Sequence, residues 1–274
     1  MLLHGWFRVC RTLAAIATAA MTLCLCGQAA LAQRSGTEDA AMPAASLANE
    51  SISVAAIQES GIAPKAMRFY QRAVRELHGG DAAQAEKDAQ RAVRADAKFA
   101  DAEALAATAA LSQGQFERGR AEAEDAVRID NADEKAWVIL ATADNHLGNY
   151  AEAETALSHV RKQDQATWQV AYQWARAEAG QEHAALALEW ANRAALTAPP
   201  DFAPLHLLRA SALLAAGQNA QAAGELEIYL QLRGANAPER EAISRELNQL
   251  RALSIQAKPP QSPIHGADCN ALAN

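Results

Sequence analysis

The chain has 274 residues, half of them apolar, with only 5% aromatic and 21% charged side chains. Much of the apolar fraction is alanine, the best helix former, and a β-sandwich would need far more Val, Ile and Thr. A net charge of −7 argues against a nucleic-acid ligand. The composition therefore predicts an all-α protein.

Residues 1–32 have the features of a secretory signal peptide. Arg8 and Arg11 precede an apolar run over residues 13–25, and a small-x-small cleavage pattern ends at Ala32. We therefore expect an exported protein, periplasmic or secreted after cleavage near Ala32. Cleavage leaves 23 basic and 32 acidic side chains, which corresponds to a net charge of −9.

Two alternatives keep the N-terminal segment at a membrane. The first alternative is an uncleaved anchor, although the apolar run is shorter than the ~20 residues of a spanning helix. The second is lipidation of Cys24 or Cys26, although each follows a leucine where lipoprotein signals place a small residue. Cleavage would leave Cys269 as the remaining thiol, so no internal disulfide is expected and we interpret this cysteine as dispensable.

An even spacing of turns is the strongest signal in the chain. Residues 33–64 lack helical periodicity and predict a flexible linker. Beyond them Gly80, Gly114 and Gly148 recur with a constant spacing of 34, and each precedes a polar residue. The glycine is expected to end one helix in the left-handed conformation, and the polar residue to cap the next helix. A fixed period of this length predicts a stack of helical hairpins.

Small residues keep the same frame and mark places where a second helix lets its neighbour approach. The two series, each with a spacing of 34, are Ala85, Gly119, Ala153 and Ala187, and Ala92, Ala126, Val160 and Ala194. Larger residues between them are expected to fill the gaps between helices. These residues are Trp137, Leu140, Leu157 and Trp174.

In these features the chain resembles the tetratricopeptide repeat family, whose units are 34-residue helix-turn-helix hairpins. The third unit matches best, through Trp137, Leu140, Gly148, Tyr150, Ala153 and Leu157. The fourth unit keeps Pro199, but its turn glycine is displaced to Gly180, and the fifth, near residues 203–234, is shifted by one residue. The resemblance implies a right-handed α-solenoid of about five hairpins over residues 65–257.

A last amphipathic helix is predicted after the fifth hairpin. It opens near residues 237–241 and places four apolar residues on one face, namely Ile243, Leu247, Leu250 and Leu253. Such a helix would cap the open end of the stack, as terminal repeats must. Residues 258–274, which begin with Lys-Pro-Pro, predict a disordered tail.

In this family the first helices of the hairpins line a concave wall that commonly grips an extended peptide or a partner helix. The inward positions that the resemblance gives for a peptide-binding groove are Tyr70, Lys135, Thr142, Asn145, His146, Gln169, Tyr172 and Arg176. The alternative is that these are ordinary solvated helix positions. The family's carboxylate-binding clamp of Lys, Asn and Arg is missing from the first units, where Tyr70, Val74, Ala104 and Thr108 stand.

The sequence carries no pattern for catalysis or metal binding. The seven histidines have no metal-ligand spacing, and no HExxH, CxxC, GxSxG or phosphate-binding glycine loop is present. Three acids of one helix, Glu122, Glu124 and Asp125, stand near arginines and predict a solvated face with local ion pairs. We therefore expect a protein that is not an enzyme and has no cofactor.

The function that follows is a non-catalytic scaffold that binds a peptide or protein partner in the concave groove, outside the cytoplasm. The alternative is an accessory or regulatory subunit of a cell-envelope enzyme or assembly complex, contacted through the convex face or the capping helix. An enzyme with an unrecognised site is a third hypothesis. No nucleic-acid partner and no membrane span after processing are expected, and the sequence does not identify the partner.

Overall fold

A computed structural model describes residues 61–161, 167–235 and 237–256. These residues contain eleven α-helices and no strand, and none of the helices is long and apolar enough to cross a bilayer. The predicted signal peptide and the tail, and the linker up to residue 60, lie outside the described residues. In chain order the helices are α1 (Pro64–His78), α2 (Ala82–Ala95), α3 (Ala100–Ser112), α4 (Phe116–Ile129), α5 (Glu134–Leu147), α6 (Tyr150–Leu157), α7 (Trp168–Gly180), α8 (Ala184–Ala195), α9 (Ala203–Ala215), α10 (Asn219–Arg233) and α11 (Arg240–Gln256).

The first ten helices form five hairpins stacked in a row. The two helices of each hairpin contact each other, from α1 with α2 to α9 with α10, and each second helix contacts the first helix of the next hairpin. The first helices of neighbouring hairpins, such as α5 and α7, also touch. This regular nearest-neighbour packing is that of an α-solenoid, as the repeat period predicts.

The same tight turn ends the first helix of every hairpin. Gly80, Gly114, Gly148 and Gly217 have φ angles of 83°, 73°, 80° and 72°. The N–H of the next residue donates to a carbonyl earlier in the helix, as from Asp81 to Glu76 at 2.9 Å. This hydrogen bond satisfies a carbonyl that the helix end leaves open, so the predicted role of the turn glycines is confirmed.

The fourth turn corrects our prediction for Gly180. The left-handed residue is Glu182, with a φ of 65°, and it stands one full repeat period after Gly148. The frame is therefore kept, and the glycine is not displaced. Gly180 lies in α7 for another reason, because a Cβ there would come within 2.2 Å of the Tyr150 ring.

The side-chain caps that we expected after the turn glycines occur in one turn of the three. Asp81 accepts a hydrogen bond from the Gln84 N–H at 3.0 Å and so caps α2. Gln115 and Asn149 stand at the same place before α4 and α6, but their side chains make no capping bond. The turn backbone alone therefore fixes those two helix starts.

The small residues lie where helices approach most closely. Ala85, Ala153 and Ala187 are fully buried, and a Cβ on Gly119 would lie 2.7 Å from Leu111 Cδ2. All members of the second series are buried as well, with Val160 just beyond the end of α6. The predicted close-approach sites are therefore confirmed.

The larger apolar residues and the last helix also take their predicted places. Leu157 is buried, and Trp137 and Trp174 pack against the same central cluster. Ile243 and Leu247 of α11 pack with residues of α9 and α10, together with Leu250. The last helix therefore covers the end of the stack; the side chain of Leu253 lies outside the described part.

Replacing Glu182 by glycine should stabilise the protein. A left-handed conformation costs a residue with a Cβ more than it costs glycine, and the Glu182 side chain is exposed. We expect Glu182→Gly to raise the free energy of unfolding by about 1 kcal/mol. Gly148→Ala is the matched control, because it adds a Cβ at the same turn position and should lower stability by a similar amount. Urea unfolding of both variants measures the two changes in unfolding free energy. If both variants gain stability or both lose it, the assignment of Glu182 to the turn-glycine position is wrong.

Candidate functional site

Three of the predicted groove residues lie in the core. Tyr172, Thr142 and Asn145 are 1%, 2% and 3% exposed, whereas the prediction placed them on an open wall. The Tyr172 ring packs edge-on against Phe202 with centroids 5.0 Å apart, and Thr142 Oγ1 donates to the Val138 carbonyl at 2.8 Å. The first helices pack so closely that these positions are filled, and the three side chains are unavailable to a ligand.

The other five predicted residues are half-buried, namely Tyr70, Lys135, His146, Gln169 and Arg176. Lys135 and Gln169 hold equivalent positions in consecutive repeats, near the starts of α5 and α7. Tyr70 packs against Phe99 with ring centroids 4.9 Å apart. Burial raises the pKa of the Tyr70 phenol, with smaller contributions from the charges of Asp101 and Asp133, so the phenol stays protonated.

His146 and Arg176 are joined across the third and fourth hairpins. Arg176 Nη1 lies 2.9 Å from His146 Nε2, and the His146 ring stacks on Phe116 at 4.4 Å with planes 6° apart. Burial, and then the charge of Arg176, lower the pKa of His146 to about 2. The imidazole is therefore neutral at physiological pH and accepts a hydrogen bond from the guanidinium. Arg176 forms no ion pair with any residue that the structure describes.

Asn145 connects the same two hairpins from inside the core. Its Nδ2 donates to the backbone carbonyl and to Oε1 of Gln173, both at 3.0 Å, and both side chains are buried. Asn145 Oδ1 and Gln173 Nε2 have no hydrogen-bond partner among the residues that the structure describes. Asn145 thus acts as a structural tie, and sequence reasoning missed this because the partner lies far along the chain on another helix.

An ion pair between a half-buried arginine and a buried aspartate joins the second and third hairpins. Arg120 Nε of α4 lies 2.7 Å from Asp144 Oδ1 of α5, and Asp144 is buried. Arg120 also forms the predicted local pair with Glu124, at 3.0 Å. The prediction of a merely solvated face is therefore corrected here, because one arginine of that face reaches into the neighbouring hairpin.

A polar cluster joins the first and second hairpins. Arg118 Nη1 lies 2.8 Å from Glu86 Oε1 of α2, and Gln113 Nε2 donates to Glu86 Oε2 at 2.7 Å. Gln90 Nε2 donates to Glu122 Oε1 at 3.0 Å. Burial, opposed in part by the Gln90 hydrogen bond, raises the pKa of Glu122 to about 7, and the Glu86 charge adds to the rise. The predicted solvated acid is therefore largely enclosed.

Within the described residues, no group of three or more His, Cys, Asp or Glu side chains could hold a metal ion. The polar side chains instead form ties between neighbouring hairpins. Each tie spans adjacent repeats, so its first effect is to fix how one hairpin sits on the next.

Removing Arg120 should destabilise the protein strongly, because Asp144 would remain as a buried charge without its cation. Because the Arg120 side chain is itself 36% exposed, we expect Arg120→Ala to cost about 2 to 3 kcal/mol of unfolding free energy. The control is Arg128→Ala on the same helix, whose partner Asp125 lies at the surface, and it should cost less than about 1 kcal/mol. Urea denaturation measures both losses, and similar values for the two variants would refute the buried tie.

Glu122 should make stability depend on pH. Its pKa rises from about 4.5 in the unfolded chain to about 7 in the folded one, so the neutral carboxyl favours folding. This contribution is complete below pH ~4.5 and is lost as pH rises through ~7. After a discount for solvent screening, we expect a loss of about 1 to 2 kcal/mol.

Glu122→Gln should abolish this part of the pH dependence, because glutamine resembles the protonated carboxyl. Melting temperatures at pH 5 and pH 8 test this, with Glu152→Gln on the exposed surface of α6 as the control. The proposed pH dependence of Glu122 is wrong if Glu122→Gln gains no stability relative to the parent protein as the pH rises.

Comparison with known proteins agrees with this architecture. The sequence profile of the tetratricopeptide repeat family matches residues 110–179, and no curated protein matches the sequence. Two solved structures are similar to most of this chain. MamA of Desulfovibrio magneticus is 16% identical with a TM-score of 0.53, over 63% of this chain and 97% of its own. TTC0263 of Thermus thermophilus, a tetratricopeptide repeat protein, is 14% identical with a TM-score of 0.52, over 68% of this chain and 99% of its own.

A chain of the APC/C hetero-tetramer Cut9–Hcn1 is 15% identical with a TM-score of 0.59, over 72% of this chain and 41% of its own. Identities this low show a shared fold alone. The profile match, however, falls on the second to fourth hairpins, and the turns keep the repeat frame on both sides of it. Residues 110–179 thus carry the repeats of the tetratricopeptide repeat family, and the described residues share the fold of solved proteins with such repeats.

Proposed function

We propose that the protein is a non-catalytic scaffold, acting outside the cytoplasm, that holds a polypeptide partner against the first helices of its middle hairpins. Proteins with this repeat fold bind protein partners in general, and helical repeats offer extended walls for that purpose. The signal-peptide features of residues 1–32 support the extracytoplasmic location.

The proposal rests on the environment of the Arg176 side chain. Its guanidinium is half-buried and has no acidic partner among the described residues, and its neighbour His146 is neutral. A guanidinium offers five N–H donors, and the ring nitrogens of His146 cannot accept hydrogen bonds from all five. A half-enclosed cation of this kind is stabilised by a carboxylate or a backbone carbonyl from a partner. Arginine is also enriched among the residues that dominate binding energies.

Neighbouring positions extend the same wall. Lys135 on α5 and Gln169 on α7 are half-buried at equivalent positions in consecutive hairpins. They lie on the same two helices as His146 and Arg176, so an extended peptide along these helices would pass all four positions. The buried Tyr172, Thr142 and Asn145 take no part in this contact and instead keep α5 and α7 in place.

Site-specific crosslinking tests the proposal. A photoreactive residue replaces Gln169 on the proposed wall, and in a second variant it replaces Glu189 on the exposed surface of α8. Irradiation in the native envelope should give a defined adduct from position 169 and none from position 189. Arg176→Ala should reduce this adduct and weaken binding of the identified partner by about 10- to 100-fold, as loss of a charged hydrogen bond does.

The control for charge is Arg193→Ala on α8, which should leave the adduct unchanged. Circular dichroism and the melting temperature must show that both arginine variants fold. An adduct from position 169 that is indifferent to Arg176→Ala would refute the role of this arginine, and the absence of any such adduct would refute the wall itself.

A second candidate function uses the outer surface. The second helices and the ends that follow them expose large apolar side chains, namely Ile129, Leu186, Leu196, Ile228 and Leu232. An accessory subunit could be contacted there. The apolar face of the capping helix is a poorer candidate, because Leu247 and Leu250 are buried against the last hairpin. Adducts only from position 189 would favour this second function.

A further inference from the structure

The first hairpin presents a surface whose charge is opposite to that of the whole chain. Residues 61–98 contain eight lysines and arginines, and all eight side chains are exposed. Four of them, Lys65, Arg68, Arg72 and Arg75, lie along the solvent face of α1. The five acids of this segment are buried or half-buried except Asp81, which caps α2. A chain with a net charge of −7 thus has one strongly basic end.

Few of these cations are neutralised within the protein. Arg72 and Arg91 both pair with the buried Asp88, at 3.5 Å and 2.5 Å. The remaining six form no ion pair with any described residue. In later hairpins, by contrast, exposed arginines commonly pair with an acid, as Arg193 does with Glu189 and Arg251 with Glu227. The positive charge of the first hairpin therefore faces solvent.

The repeat frame shows why this face stays open. In the second to fifth hairpins, the positions equivalent to Arg75 are buried alanines, and the first of them packs against residues of the first hairpin. They are Ala109, Ala143, Ala177 and Ala212. Arg68 likewise takes the place of the buried Ala102 and Ala136. Two arginines cannot be buried under a further hairpin without a large desolvation cost. The face is therefore the end of the stack.

An end of a stack needs polar residues for solubility, but it does not need one sign of charge. The capping helix α11 at the other end exposes charges of both signs. It exposes Glu241 together with Arg245, and its Arg251 pairs with Glu227. The solvent face of α1 carries cations without an acid. This asymmetry between the two ends points to an anionic partner at the first hairpin.

We propose that the α1–α2 hairpin docks the protein onto an anionic phospholipid surface. A protein partner would need apolar or aromatic anchors at the centre of its interface. The first hairpin offers none, because no large apolar side chain of residues 61–98 is exposed. Cations spread over two helices instead match a layer of lipid headgroups, which attracts each nearby Lys or Arg without a specific pocket. The hairpin docks while α5 and α7, two and three hairpins away, stay accessible.

Vesicle sedimentation with the full-length chain tests the docking. The probes are vesicles of phosphatidylcholine alone and equimolar phosphatidylcholine and phosphatidylglycerol. Phosphatidylcholine alone measures insertion of the apolar N-terminal segment, and the attraction of its Arg8 and Arg11 to anionic lipid is the same in every variant. We expect at least roughly tenfold stronger binding to the anionic vesicles at low salt, because each cation near the surface strengthens binding roughly fivefold. The difference should vanish at high salt.

The decisive variant is the double substitution Arg68→Glu and Arg75→Glu, which should remove the part of the charge-dependent binding that the first hairpin supplies. The matched control is Arg193→Glu and Arg245→Glu, which changes the net charge equally but lies on α8 and α11, and it should retain the binding. Melting curves check folding. If the glutamate variant does not fold, the double substitution Arg68→Gln and Arg75→Gln replaces it. This variant removes the two charges without reversing them, and we expect a smaller loss of binding to anionic vesicles.

Three results would overturn the proposal. The first is equal binding to both kinds of vesicle, and the second is an equal loss in the decisive and control variants. The third is binding of polyglutamate or duplex DNA without binding to anionic vesicles, which would assign the basic surface to another class of partner. None of these results bears on Arg176, so the outcome is separate from that of the scaffold proposal.

Discussion

The two helices of each hairpin meet at one small side chain, and the rest of the array depends on that contact. At Gly119 even a methyl group would lie 2.7 Å from Leu111 Cδ2 and 3.1 Å from the Ala107 carbonyl oxygen. Alanine occupies the equivalent position in the first, third and fourth hairpins. Helices that approach this closely bury their backbones as well as their side chains. A core of small residues is therefore sufficient, with Tyr172, Phe99 and Phe202 as its largest fully buried members.

A core built from alanine has a consequence for how the hairpins are joined. Methyl groups give shallow ridges, so one helix can slide along another at little cost. The polar ties between hairpins counter this freedom, because each has a partner at one position only. Arg118 with Glu86, Arg120 with Asp144, and Asn145 with Gln173 each connect neighbouring hairpins in this way. We interpret them as devices that fix register, since buried ion pairs add little net stability.

The same distribution of polar groups separates the two proposed activities in space. The middle of the stack has a half-buried Arg176 beside a neutral His146, which suits a directed contact with one polar group of a polypeptide. The first hairpin has exposed cations but no exposed large apolar side chain, which suits a diffuse anionic surface. Because the two sites lie on different hairpins, a partner can be held while the end of the array is docked.

The sequence by itself determined the helices, their period, the close-approach sites and the capping helix. Glycine in a left-handed turn and alanine at a crowded site are local requirements, so residue identity reveals them. Glu182 escaped prediction because a residue type does not report its φ angle when the fold imposes a strained one.

Only the tertiary structure decided which side chains of the first helices remain accessible. Tyr172, Thr142 and Asn145 were placed correctly on those helices, but their burial depends on how closely α5, α7 and their neighbours stack. The polar ties were hidden for the same reason, since each joins two helices that are well separated along the chain. Periodicity gives the face of a helix, whereas the distance to the next hairpin is set by packing across the whole array.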